Sequence, residues 1–143
     1  MAVSVSQIAN ECIAVRLRLI NRAVTNIYDD ALRPFGLKVS QMNILVVVSL
    51  RKIVRPSEIG EVLQIDRSTL SRNIERMKSR GWLESIEDED ARAQPVRMTK
   101  SGKELLKEVF PAWEEAQAQT TELMGDEFIT SVRDTARQVS QLP

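Results

Sequence analysis

Between Asp66 and Arg80 the chain carries short hydroxyls and arginines at helical spacing: Ser68, Thr69, Arg72, Arg76 and Ser79, with Glu75 among them. On a helix turning 100° per residue, Leu70, Ile74 and Met77 fall within about 60° of one another, which leaves those polar side chains on the opposite face. Hydroxyls and guanidinium groups exposed side by side are the chemistry that grips phosphate oxygens and reads base edges. Little other chemistry is on offer. The chain has no histidine and a single cysteine, Cys12, which excludes Ser-His-Asp catalysis, a zinc centre and an intramolecular disulfide. Ser49-x-x-Lys52 and Lys100-Ser101-Gly102 echo penicillin-recognising serine enzymes, but a third motif is missing and patterns this short arise by chance. Glycine-rich nucleotide loops are also missing. The reading is therefore of a protein that is not an enzyme and takes no metal and no cofactor.

The hydroxyl- and arginine-bearing helix needs a frame. From Ser6 to about Leu32, Ile8, Cys12, Val15 and Leu19 form one apolar stripe and Ile13, Leu17, Ile20, Val24 and Ile27 a second, which predicts one long helix packed on two sides. Pro34 and Gly36 end it. Ser40 is the expected N-cap of a buried helix running through Met42 to Leu50, and a third short helix is expected from Pro56 to Leu63. Asp66 then caps the polar-faced helix, and Gly81 stops it in a left-handed conformation. Two extended stretches, Trp82 to Ile86 and Val96 to Met98, joined by a polar turn, predict a β-hairpin with Pro95 at its edge. Thr99 caps the next helix, Pro111 should kink it, and Gly125-Asp126 stops it and starts a last one carrying Phe128, Ile129, Val132, Ala136 and Val139.

At 143 residues this is one domain, 1–143. Formal net charge is zero, with 20 basic and 20 acidic side chains, and taken whole this argues mildly against a polyanionic partner. Divided, the chain reads differently. Residues 51–80 hold eight basic and four acidic side chains, a net of +4, whereas 104–143 hold three basic and eight acidic, a net of −5. Such sign asymmetry points to a polyanion better than the total does. The longest near-apolar run, Ile44 to Leu50, is far short of the ~20 residues of a membrane span, and no leader pattern opens the chain, so a cytoplasmic protein without a membrane partner is expected.

Two short helices, a tight connection, a polar-faced helix and a hairpin are the parts of a winged helix-turn-helix. Asp90-Ala91-Arg92, five residues, then Met98-Thr99-Lys100-Ser101-Gly102 resemble the D-x-R-x5-(L/M)-T-x-x-G wing signature of the MarR family of bacterial transcription regulators. Asp66-Arg67-Ser68-Thr69-Leu70-Ser71-Arg72 followed by Gly81 resembles that family's recognition helix, and Leu32 to Leu37 before Ser40-Gln41 resembles its linker. The resemblance covers nearly the whole chain. It implies a mainly α fold with a small β-hairpin wing: a winged helix-turn-helix DNA-binding lobe at 37–103 and a helical dimerisation region from 1–36 and 104–143. It further implies a homodimer binding a pseudo-palindromic operator in double-stranded DNA, acting as a repressor released by a small apolar or aromatic effector.

DNA contacts are then expected from Arg67, Ser68, Thr69, Ser71, Arg72 and Arg76, with Ser68 and Arg72 on bases, Thr69 and Arg76 on phosphates and Arg92 in the minor groove. Asp90 is expected to orient neighbouring basic groups. The chain departs from the family pattern at Arg55, which stands at an N-cap, at Gln64, where glycine is common in the inter-helix turn, and in the acidic wing tip Glu87 to Asp90, which should repel phosphates. Two alternatives accompany this reading. Hydroperoxide sensors of the family use a cysteine near the start of the first helix, so Cys12 could make this a redox-sensing repressor, although it also continues an apolar stripe with Ile8 and Val15. Zero net charge and the acidic wing fit a helical protein-interaction module that does not bind DNA.

Overall fold

The computed structural model describes residues 4–140 and 142. Seven helices and one hairpin follow in the order α1 (Val5–Glu11), α2 (Ile13–Leu32), α3 (Val39–Arg51), α4 (Pro56–Leu63), α5 (Arg67–Ser79), β1 (Leu83–Ser85), β2 (Val96–Met98), α6 (Lys100–Met124) and α7 (Asp126–Val139). The expected single N-terminal helix is two. Cys12 adopts extended backbone, with ψ 113°, and its N–H closes α1 on the Ile8 carbonyl. The Arg16 guanidinium donates to the Cys12 carbonyl at 3.0 Å, satisfying an acceptor that the break leaves open. The second expectation to fail is the Ser40 cap. Helix α3 already starts at Val39, and Asp29 of α2 reaches across to accept the Val39 N–H at 2.8 Å. Pro111 lies inside α6, which remains one helix from Lys100 to Met124.

The core is concentrated in the middle of the chain. Ile44, Leu45 and Val48 of α3, Ile59 of α4, Leu70, Ile74 and Met77 of α5, and Leu83, Val96 and Met98 of the hairpin are all buried. Leu32 at the end of α2 and Leu105 and Val109 of α6 close it from the other side. Strands β1 and β2 pair antiparallel with Leu83 opposite Met98 and Ser85 opposite Val96. An isolated bridge adds Val54, whose N–H and carbonyl both pair with Val96, fastening the base of the hairpin to the α3–α4 connection. By contrast α1 and α7 bury no residue, and α2 buries only Leu32.

Helix α2 packs along α6, and α6 is tied to the core by its first turn. Thr99 is its N-cap, accepting the Gly102 N–H at 3.1 Å, and the Thr99 N–H donates to the Trp82 carbonyl at 3.1 Å. A Cβ on Gly102 would lie 3.2 Å from the Trp82 carbonyl carbon and inside contact distance of its oxygen. Gly102→Ala should therefore force α6 away from the end of α5. By analogy with overpacked cores it should cost about 1–3 kcal/mol in urea or thermal unfolding; an unchanged transition would show that the approach is not constrained.

Candidate nucleic-acid interface

The expected α5 forms as read, with Asp66 as its N-cap and Gly81 at φ +78° after its end. The cap is elaborate. One Asp66 carboxylate oxygen accepts the Thr69 N–H at 2.9 Å and the Ser68 hydroxyl at 2.9 Å, and the other accepts the Thr69 hydroxyl at 2.6 Å. These bonds, led by that from the Thr69 hydroxyl, hold the Asp66 carboxyl down at about 2. Both hydroxyls spend their hydrogens on the cap, so they present acceptor lone pairs to anything approaching from outside.

Helix α5 sorts its side chains into three directions. Ser68, Arg72 and Arg76, at i, i+4 and i+8, are exposed on the face opposite the buried Leu70, Ile74 and Met77. Arg67 and Ser71 point toward the hairpin, where they line a groove of about 730 Å³ together with Arg55, Lys78, Asp90 and Arg92. On the third side Thr69 is half-buried, and Asn73 donates to its carbonyl at 3.2 Å and accepts from Gln41 of α3 at 3.5 Å. The candidate DNA-contacting residues therefore form two groups, an outward row of Ser68, Arg72 and Arg76, and a wing-side group of Arg67, Ser71 and Arg92. Thr69 belongs to neither group, though its hydroxyl accepts from Arg72 Nη2 at 3.4 Å.

The acidic wing tip is folded on itself. Asp88 accepts the Asp90 N–H at 2.9 Å, and Asp90 accepts the Arg92 N–H at 3.0 Å. Asp90 thus holds the backbone of Arg92, the basic residue nearest to it in the wing. Arg55 and Asp88 form an ion pair at 3.7 Å. Two departures from the family pattern, an arginine at the α4 N-cap and an acid at the wing tip, therefore meet each other across the groove. Neither was expected to have this partner, because a charge at a loop tip gives no signal of where it folds back. Gln64, at φ +53°, takes the left-handed conformation that glycine would ordinarily supply.

Cys12 is half-buried at the α1–α2 break. Tyr28, the only tyrosine, lies sixteen residues on, which over the rise of a helix is about 24 Å away, and its hydroxyl donates to Gln117 of α6. The two do not meet within one chain. Among the described residues, no helix is long and apolar enough to cross a membrane and no cluster of acids, histidines or cysteines could hold a metal ion.

Three comparisons bear on this geometry. The sequence model of the MarR family matches residues 35–93. The multiple antibiotic resistance protein MarR of Salmonella typhimurium is 25% identical over 132 residues, spanning 89% of this chain and 92% of that protein. Among solved structures, the transcriptional regulator MosR of M. tuberculosis in complex with DNA is 34% identical with a TM-score of 0.78, covering 90% of this chain and 93% of that one. A MarR variant of E. coli complexed with operator DNA superposes with a TM-score of 0.82 over 98% of this chain and all of its own, at 19% identity that speaks for the fold alone.

The Asp66 cap has a testable pH signature. Its folded value of about 2 lies below the ordinary 3.8, so the ionised cap favours the folded chain above pH 3.8, and that contribution is lost as pH falls from about 3.8 toward 2. Asp66→Ala should lower the melting temperature at neutral pH and flatten the acid limb of stability in that window. An unchanged acid limb would show that the cap does not titrate with folding.

Proposed function

The chain belongs to the MarR family of DNA-binding transcriptional regulators, which are not enzymes, and on that premise we propose that it is a dimeric repressor whose α5 enters the major groove of a pseudo-palindromic operator. The observation that carries this reading is the outward row Ser68, Arg72 and Arg76 beside a hairpin that presents Arg92. Arg72 is the base reader, since a guanidinium fits the two acceptors of guanine bidentately. Ser68, with its hydrogen held by Asp66, suits the amino groups of cytosine or adenine. Arg76 takes phosphate. Arg67 and Ser71 face the strand nearer the wing, and Arg92 reaches into a narrow minor groove. Thr69 chiefly holds the cap, and its phosphate contact is limited to what a half-buried hydroxyl can offer.

Dimerisation through 1–36 and 104–143 is supported by what those helices leave uncovered. Ile8, Ile13, Leu17, Leu19 and Val132 are exposed in the single chain on α1, α2 and α7, which bury at most one residue each, and Leu123 is exposed at the far end of α6. A second copy would cover this surface and bring two DNA-binding lobes, each 37–103, into two-fold relation, with half-site centres about one helical turn, ~34 Å, apart. Release follows when a small apolar or aromatic molecule binds the dimer geometry in which the two α5 helices no longer match that spacing, and it can shift the equilibrium only by that preference. The protein acts in the cytoplasm.

Selection of bound duplexes from a random pool, followed by a screen for small molecules that release them, tests the proposal. Arg72→Ala should cost about 1–3 kcal/mol of discrimination at one base position, while Arg76→Ala should weaken binding to all sequences and lower the salt slope by about one per protomer. Absence of duplex affinity at low salt would favour the protein-interaction module instead.

A further inference from the structure

Arg80 ends the basic stretch, yet its guanidinium turns back onto the protein. Its Cζ lies 4.7 Å from the centroid of the Trp82 ring, and Nη1 donates to the Gly36 carbonyl at 3.0 Å. Gly36 is the left-handed residue, φ +66°, that closes the 3-10 turn Arg33–Phe35 between α2 and α3. A Cβ there would lie 3.2 Å from Arg80 Cζ and overlap Nη2. The glycine thus allows the turn and leaves the guanidinium its space. Trp82 is itself held by α6, because its carbonyl accepts the Thr99 N–H and faces Gly102. Through Arg80 the C-terminal end of α5 is joined to the α2–α3 turn, and through Trp82 to the start of α6. These are the helices on which the two halves of a dimer would meet.

We propose that Arg80 is a positioning residue that fixes the angle of the α5 face relative to α2 and α6, and so sets the half-site spacing the dimer accepts, without touching DNA. This rests on the reading of the chain as a dimeric duplex-DNA-binding regulator. A stacked arginine bonded to a carbonyl is a planar strut, and holding α5 in the bound geometry beforehand lowers the cost of ordering it on the operator. Loss of the strut lets each lobe swivel. Affinity at the best spacing then falls, while the penalty for a wrong spacing also falls.

The test uses the full chain and the duplex that the wild-type protein selects from a random pool, with and without one base pair inserted between its half-sites, titrated over a salt series. The wild type should lose on the order of tenfold in affinity on insertion, comparable with one mismatched base pair. R80A should bind the selected duplex more weakly and lose roughly threefold or less on insertion, a fraction of one mismatch, with the salt slope unchanged. A slope lower by about one per protomer would make Arg80 a phosphate ligand and overturn the proposal. So would an insertion penalty equal to the wild type's. Should R80A fail to fold in a thermal melt, R80K decides. It keeps the charge and loses the planar stack, so a smaller insertion penalty at unchanged slope supports the strut and an unchanged penalty overturns it. If the wild type selects no duplex, the DNA-binding reading falls, and this proposal with it; if it does and R80A behaves alike, only the role of Arg80 falls.

Discussion

Trp82 occupies the point where α5 has ended, β1 is about to begin and α6 must start. Its N–H returns to the Met77 carbonyl at 2.9 Å, its carbonyl receives the Thr99 N–H at 3.1 Å, and its ring is only 7% exposed. Gly102 gives up a side chain so that the first turn of α6 can come this close. Backbone contacts of this kind are stiff, because neither partner can relax by changing a rotamer. The end of α5 is therefore tied to the start of α6 at this junction. A shift of that junction reaches α6, and α2 lies along α6, so the end of α5 is connected to both long helices, with the Arg80 bond to Gly36 as a second tie.

Electrostatics follow the same division. The zero net charge hides a basic middle, but the structure spends part of that basicity internally. Arg51 meets Glu58, Arg55 meets Asp88, Lys78 meets Glu75 and Arg97 meets Glu84. Exposed pairs of this sort add little stability, about 0–1 kcal/mol each. Their effect is on the field, since each paired cation is dulled at a distance. Arg67, Arg72 and Arg76 of α5, Lys52 at the end of α3, and Arg92 of the wing enter none of these pairs. Long-range steering of a polyanion is then weak, and any attraction rests on contacts made at close range.

Much of this was legible in the sequence because it depends on local rules. The limits of α4, the Asp66 cap, the left-handed Gly81, the buried stripe Leu70, Ile74 and Met77 and the two stretches that form the hairpin all follow from spacing and from the few residues that tolerate special backbone. The departures are non-local. Nothing at Cys12 marks a break, since it carries neither glycine nor proline, and the apolar stripes run straight through it. The cap of α3 comes from Asp29, ten residues earlier on another helix, so a search for a hydroxyl at the helix start finds Ser40 instead. Val54 pairs with Val96 from 42 residues away and carries no strand pattern of its own. The Arg55–Asp88 and Arg80–Gly36 contacts are likewise set by how the chain closes on itself. At the candidate interface, residue types could be read in advance, but their sorting into an outward row, a wing-side group and a capped threonine could not.

That sorting constrains how α5 can hold DNA. A helix N-terminus usually offers free N–H groups and a positive dipole end to phosphate. Here Asp66 already occupies that end, taking the Thr69 N–H and both neighbouring hydroxyls, and its carboxylate stays ionised well below neutral pH. An anion approaching the cap side of the first turn would meet a negative group and acceptor lone pairs where it needs donors, and Arg67 is the cation of that turn. The cap side of that turn is therefore unsuited to an anion. The cations that surround it are Arg67 on the wing side and Arg72 and Arg76 farther along the helix. The cap that lets α5 form thus also limits what its first turn can hold.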